Sequence, residues 1–259
     1  KWVIKDICEE DSLIGIFGSP KSGKSFIAVD MACCVATGKE WHEHKVNDGL
    51  VLYLAGEGHR GLSRRLLAWE QVNNMKLKDS KLHYSERGVQ ILDDLDVQMM
   101  RDEALTLCDT YAQKPKLVII DTLARNFGAG NENSTEDMNR FVAHVDRFIR
   151  EEFRCAIMLV HHTGHLAGNR GRGSSVLPAA LDWEYKIEKM GDDIDWYMNL
   201  SQTLVKDGRP LSPMRFRFNE TTLHQLIDDE GQAATSGALV REKYIAEADE
   251  KLGEIQEIV

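Results

Sequence analysis

The stretch Gly18-Ser19-Pro20-Lys21-Ser22-Gly23-Lys24-Ser25 keeps the spacing G-x-x-x-x-G-K-[ST], the P-loop pattern. Glycines let the backbone turn its N–H groups inward, and such a nest holds phosphate oxygens. An apolar run, Leu13 to Phe17, precedes the loop, and a helical pattern follows it from about Lys24 to Thr37. The partial positive charge of a helix start favours an anion at the same point. Lys24 then reaches the β- and γ-phosphates of ATP as a point charge, and the Ser25 hydroxyl ligates Mg2+. Phe26 closes the stretch expected to line the nucleotide.

Two carboxylates complete this chemistry. KLVIID, residues 116–121, is an apolar strand ending in Asp121, which places a carboxylate where it can hold a Mg2+-bound water. Hydrolysis also needs a group that activates water, and the residue after Asp121 is Thr122, not a glutamate. Glu57, in LYLAGEGHRGLSRRL, stands at the end of the 50–55 run and is flanked by glycines. In a parallel sheet the carboxyl ends of the strands share one edge, so Glu57 and Asp121 would both face the nucleotide. Glu57 is therefore expected as the general base; the competing account is a helix-start carboxylate favoured by the helix dipole.

The segment HHTGHLAGNRGRGSS, residues 161–175, gathers three histidines and two arginines among glycines. His161 and His162 are neighbours on a strand and point to opposite faces. That leaves His162 and His165 without a third close ligand, so a zinc site is disfavoured. The glycine content rules out helix and strand beyond the histidines, and the length marks a functional loop.

These groups need a frame. Apolar runs at 13–17, 50–55, 116–121 and 155–162 alternate with helices near 24–37, 60–74, 95–111 and 134–153, the last opened by Ser134 and Asp137 as a capping box. Strands apolar throughout and separated by helices predict an α/β fold: a mainly parallel twisted sheet covered by helices on both faces. Beyond 182 the pattern becomes strand after strand, read as an antiparallel C-terminal extension. The expected organisation is one ATPase domain over 1–227, a polar linker at 228–237, and an amphipathic helix over 238–259 marked by Leu239, Ile245, Leu252 and Ile255. Five cysteines form no C-x-x-C pair, as in reduced, cytoplasmic proteins. No apolar run approaches the ~18 residues of a membrane span, and no signal peptide is visible. The opening at Lys1 fits a domain taken from a longer chain. A net charge of −10 excludes a protein that coats nucleic acid with its whole surface, so any such contact must be a local basic patch.

GSPKSGKS, LAGEGHRGLSRRL, VIIDTLARNFGAGNENS, and HHTGH followed by RGSSVLPAALD, in that order, resemble the RecA-like ATPases. More closely, they are similar to the hexameric replicative helicases of plasmid RepA type and their phage and bacterial relatives. The resemblance spans about Trp2 to Asn219. Its first motif is shared by very many proteins; the four together are specific. It implies for Lys24, Ser25, Glu57 and Asp121 the roles already derived, and places Arg65 against the nucleotide or a neighbour. Relatives end the fourth strand with a polar sensor of the γ-phosphate, and His162 matches that position; an imidazole there can donate to the phosphoryl group and report its loss. In ring helicases the loop behind it faces the central channel, which implies that Arg170 and Arg172 bind phosphates of single-stranded DNA; the competing account is a solvated flexible loop, and no aromatic lies within it to stack bases. Ring-forming families also take a cation from the next subunit. The basic finger that plasmid relatives carry near Asp182 has no counterpart here, so Lys206 or Arg209 stands in its place, or both are ordinary turn residues.

The implied protein is a homo-oligomeric ring, a hexamer, that uses ATP and Mg2+ to move along single-stranded DNA as a replicative DNA helicase. Other readings stay open: a recombination-type filament on DNA, or a regulatory ATPase with protein clients. A small-molecule kinase is disfavoured, since nothing reads as an arginine-bearing lid.

Overall fold

The computed structural model describes residues 1–56, 59–162, 174–191, 196–206, 208–227 and 230–244. The chain enters through a two-stranded ribbon, β1 (Trp2–Ile4) and β2 (Cys8–Glu9), and continues into β3 (Leu13–Gly18) and α1 (Lys24–Thr37). Next come β4 (Leu50–Ala55), α2 (His59–Asn73), β5 (Leu82–Tyr84), α3 (Asp94–Tyr111), β6 (Pro115–Asp121) and the short α4 (Leu123–Asn126). α5 (Thr135–Val145) passes through a π-helical turn, Asp146–Arg150, into α6 (Glu151–Phe153). Then follow β7 (Ala156–His162), α7 (Val176–Ala180), β8 (Trp183–Gly191), β9 (Trp196–Val205), β10 (Met214–Ile227) and β11 (Ala233–Glu242). The Ser134 hydroxyl caps α5 by accepting from the Asp137 N–H, as its spacing predicts.

Nine of these strands form one sheet in the order β11-β10-β9-β8-β3-β7-β6-β4-β5. From β5 to β8 the neighbours run parallel, so their carboxyl ends meet along one edge. β8 lies parallel to β3, and the antiparallel part of the sheet begins with β9. The apolar strands serve both faces at once. Ile14, Ile16, Val51, Tyr53 and Ile119 join α1 in one core, while Leu13, Leu52, Leu54, Val118 and Ile120 join α3 and α5 in the other. Continuous burial of both strand faces is what a helix-covered parallel sheet requires.

α1 is apolar on nearly every side because it lies beneath α2 and the β10–β11 hairpin. Its one buried carboxylate, Asp30, accepts from Trp41 Nε1 at 2.9 Å and Trp69 Nε1 at 2.8 Å, and meets His42 Nε2 at 2.7 Å. The bond to Trp69 ties α1 to α2. Four of the five cysteines are buried; burial pushes Cys8 and Cys155 up to about 12, which leaves them protonated and inert. Among the described residues no helix is long and apolar enough to cross a membrane.

The expected linker and tail helix are corrected over 233–242. That segment is a strand paired with β10 from Arg215↔Glu242 to Ile227↔Ala233. Its small residues serve close packing: a Cβ on Gly237 would stand 2.5 Å from the ring of Phe218. Ala238 and Leu239 are buried as part of this strand. The rest of the expected helix, 245–259, lies outside the described residues.

Candidate nucleotide site

Gly18 ends β3, and Ser19 to Gly23 turn the chain into α1. Gly23 has φ 94°, a left-handed conformation that favours glycine, and a Cβ there would lie 1.9 Å from Met198 Sδ on β9. At Gly18 a Cβ would meet the carbonyl oxygen of Ile187 at 2.4 Å. The loop thus owes its shape to close contact with the strands beside it. Lys24 is 4 % exposed and donates from Nζ to the carbonyl oxygens of Gly18, 2.9 Å, and Ser19, 2.7 Å. Ser22 Oγ is buried among the loop atoms with no hydrogen-bond partner among the described residues, a cost that a phosphate oxygen in the loop would remove.

Across the sheet edge, Asp121 is 5 % exposed. The Ser25 hydroxyl donates to its Oδ1 at 3.2 Å, and the Tyr53 phenol donates to its Oδ2 at 2.5 Å. Burial, and then the neighbouring Asp121 carboxylate, push the phenol of Tyr53 well above its ordinary value. A serine hydroxyl and a carboxylate converging at the loop mouth form the hard oxygen set that suits Mg2+ with several retained waters. The end of β4 is fixed to the same point. Gly56 N–H donates to the Asp121 carbonyl at 2.7 Å. Asn126 is fully buried; its Nδ2 donates to the Thr122 carbonyl at 3.0 Å, and its Oδ1 accepts from Val89 N–H at 2.8 Å. The chain therefore leaves β4 toward Glu57 directly beside Asp121. Glu57 itself lies outside the described residues.

His162 is the last residue of β7 and pairs with Gly18, which puts it next to the phosphate loop. His161 turns to the other face and lines a small cavity with Gly15, Leu177 and Leu181. Arg65 on α2 places its guanidinium 5.0 Å from the centroid of Phe26. Phe26 also packs edge-on against Phe218 at 4.8 Å, Phe218 stacks with Trp196 at 5.3 Å, and the Lys189 ammonium lies 4.9 Å from the Trp196 centroid. A ladder of rings with a cation at each end thus flanks the loop on the side away from Asp121.

Lys206 and Arg209 are not brought to this site. Lys206 Nζ pairs with Asp182 Oδ1 at 3.1 Å, and Asp182 Oδ2 accepts from Leu13 N–H at 2.9 Å, at the opposite end of β3. Six residues of strand separate the two ends by roughly 16 Å. Arg209 is exposed just beyond Lys206. Arg170 and Arg172 lie outside the described residues.

Tyr53, Asn126 and the Phe218–Trp196 pair are site residues that local motif reading passes over. Tyr53 carries a faint signal, a lone polar tip within an apolar strand; the aromatic pair carries none, because it depends on how β9 and β10 fold back.

A glycine-shaped loop between strand and helix, a buried lysine, and a serine–aspartate pair at the carboxyl edge of a mainly parallel sheet define a P-loop domain of RecA-like fold. Residues 1–168 match the family model described as an AAA domain, and the chain belongs to that family. Solved structures agree in fold. A KaiC-like protein of the hyperthermophilic archaeon Pyrococcus horikoshii OT3 is similar with a TM-score of 0.56 and 12 % identity, covering 93 % of this chain and 94 % of that one. A second solved structure, described as an ATPase domain, is similar with a TM-score of 0.62 and 12 % identity, covering 82 % of each chain. No curated protein matches the sequence.

Proposed function

We propose that the chain binds ATP with Mg2+ and hydrolyses it, as one copy of a ring that acts on single-stranded DNA in the manner of a RepA-type replicative helicase. The observation that carries the ATPase part is the arrangement of Lys24, Ser25 and Asp121 around one loop. The loop N–H groups and Lys24 hold the β- and γ-phosphates, and Ser25 and Asp121 hold the metal. Mg2+ supplies charge that offsets the negative charge developing on the phosphoryl oxygens. Glu57 orients the attacking water and accepts its proton at the carboxylate, and His162, beside Gly18, donates to the γ-phosphate. The metal side faces β6, so the nucleoside leaves toward β8–β10, where Phe26, Phe218 and Trp196 offer it a stacking surface and Arg65 lies within reach.

The DNA part rests on the motif resemblance and on where β7 ends, at His162 beside Gly18, since the stretch with Arg170 and Arg172 follows His162 in the sequence. Arg209, and Lys206 once freed from Asp182, lie too far from their own site to serve it and suit a neighbouring copy's site instead. A RecA-like ATPase without unwinding activity is the second reading, favoured by the net charge of −10. ATP hydrolysis measured with and without single-stranded DNA, alongside native mass and displacement from a forked duplex, separates the two. Stimulation with strand displacement by a hexameric mass supports the helicase. Stimulation without displacement supports a filament-type ATPase, and indifference to DNA supports the regulatory one.

A further inference from the structure

Tyr53 sits on β4 in the α1-side core with Val51 and Ala55. A phenylalanine would fill the same space, so packing does not call for its hydroxyl. Yet that hydroxyl reaches Asp121 Oδ2 at 2.5 Å while Ser25 takes Oδ1 at 3.2 Å. The two oxygens of one carboxylate thus have different partners, one inside the core and one at the loop mouth.

We propose that Tyr53 is the positioning residue of the metal centre: by holding Asp121 Oδ2, it keeps Oδ1 turned toward Ser25 and ready for Mg2+. The proposal rests on the ATPase reading above and deepens it. The terminal torsion of a carboxyl group has broad energy wells, so without a bond on Oδ2 the group keeps some freedom to turn Oδ1 away from Ser25. The phenol removes that freedom from within the protein, before metal or nucleotide arrives. Partners that orient a metal-binding side chain from behind commonly govern metal affinity by 10–100-fold. The bond crosses from β4 to β6, so the strand that leads to Glu57 also aligns the carboxylate that holds the metal.

The test is binding of a fluorescent ATP analogue in Mg2+ and in EDTA by the wild-type chain, Tyr53→Phe, Asp121→Asn and the double variant. In the wild type Mg2+ tightens binding. Tyr53→Phe is expected to reduce that tightening about tenfold and leave the affinity in EDTA unchanged. Added to Asp121→Asn, it is expected to cost nothing further. Equal weakening in Mg2+ and EDTA, an undiminished Mg2+ effect, or additive losses in the double variant would each overturn the proposal. A wild-type chain whose ATP binding ignores Mg2+ would instead remove the ATPase reading, and this proposal with it.

Discussion

Lys24 waits with its ammonium bonded to the carbonyls of Gly18 and Ser19, so an arriving phosphate replaces two neutral acceptors with a charged one and gains a stronger bond. Lys24→Ala should therefore abolish both nucleotide binding and turnover, whereas Glu57→Gln should bind ATP normally and hydrolyse it at least a hundredfold more slowly. Equilibrium binding set beside steady-state turnover checks both, and rapid hydrolysis by the glutamine variant would sink the general-base assignment. On the nucleoside side, Trp196 has an independent readout. A stacked base is worth about 1–3 kcal/mol, so Trp196→Ala should weaken ATP about tenfold while leaving tripolyphosphate binding unchanged. Equal losses for both ligands would mean that the ring only props up the loop.

Among the elements, α1 shows how the site is held. Asp30 gathers two indole N–H groups and His42 in the core. Asp30→Ala would strand those donors, at about 1–3 kcal/mol for each buried unsatisfied group. The expected result is a clear fall in Tm, read by thermal denaturation; an unchanged Tm would show that the indoles find other partners. Asp30 looks unremarkable in the sequence, and Tyr53 nearly so, because Asp30 meets Trp41, His42 and Trp69 at 11, 12 and 39 residues' distance and Tyr53 meets Asp121 at 68, none of them at a motif spacing. The phosphate loop, the Asp121 strand and the alternating helices were legible because each is written in a local spacing or run. The β10–β11 hairpin was not. Its return strand is built from Ala, Thr, Ser and Gly, a composition shared with linkers, and the spacing from Leu239 onward suggested a helix. What makes it a strand is distant: Gly237 leaves space for Phe218, and Gln71 on α2 bonds to Thr221 and the Thr222 carbonyl on β10.

At the scale of the whole molecule, the nucleotide site occupies one edge of the sheet, and Lys206 and Arg209 occupy the other. If Arg209 serves a neighbour, Arg209→Ala should cost turnover about a thousandfold without weakening nucleotide binding. Mixing it with Lys24→Ala chains should then restore part of the activity, since the intact loop of one copy meets the intact arginine of the other. A mixture as inactive as its components would exclude the trans role. At that far edge, Asp182, at the foot of β8, is tied to β3 through Leu13 N–H and to the end of β9 through Lys206, and Arg150 reaches both Asp182 and Asp11. In a ring of such copies, each subunit would be a spacer of fixed length. A displacement at the phosphate edge would then be carried toward the neighbour along β3 and β8, the strands whose feet this cluster fastens.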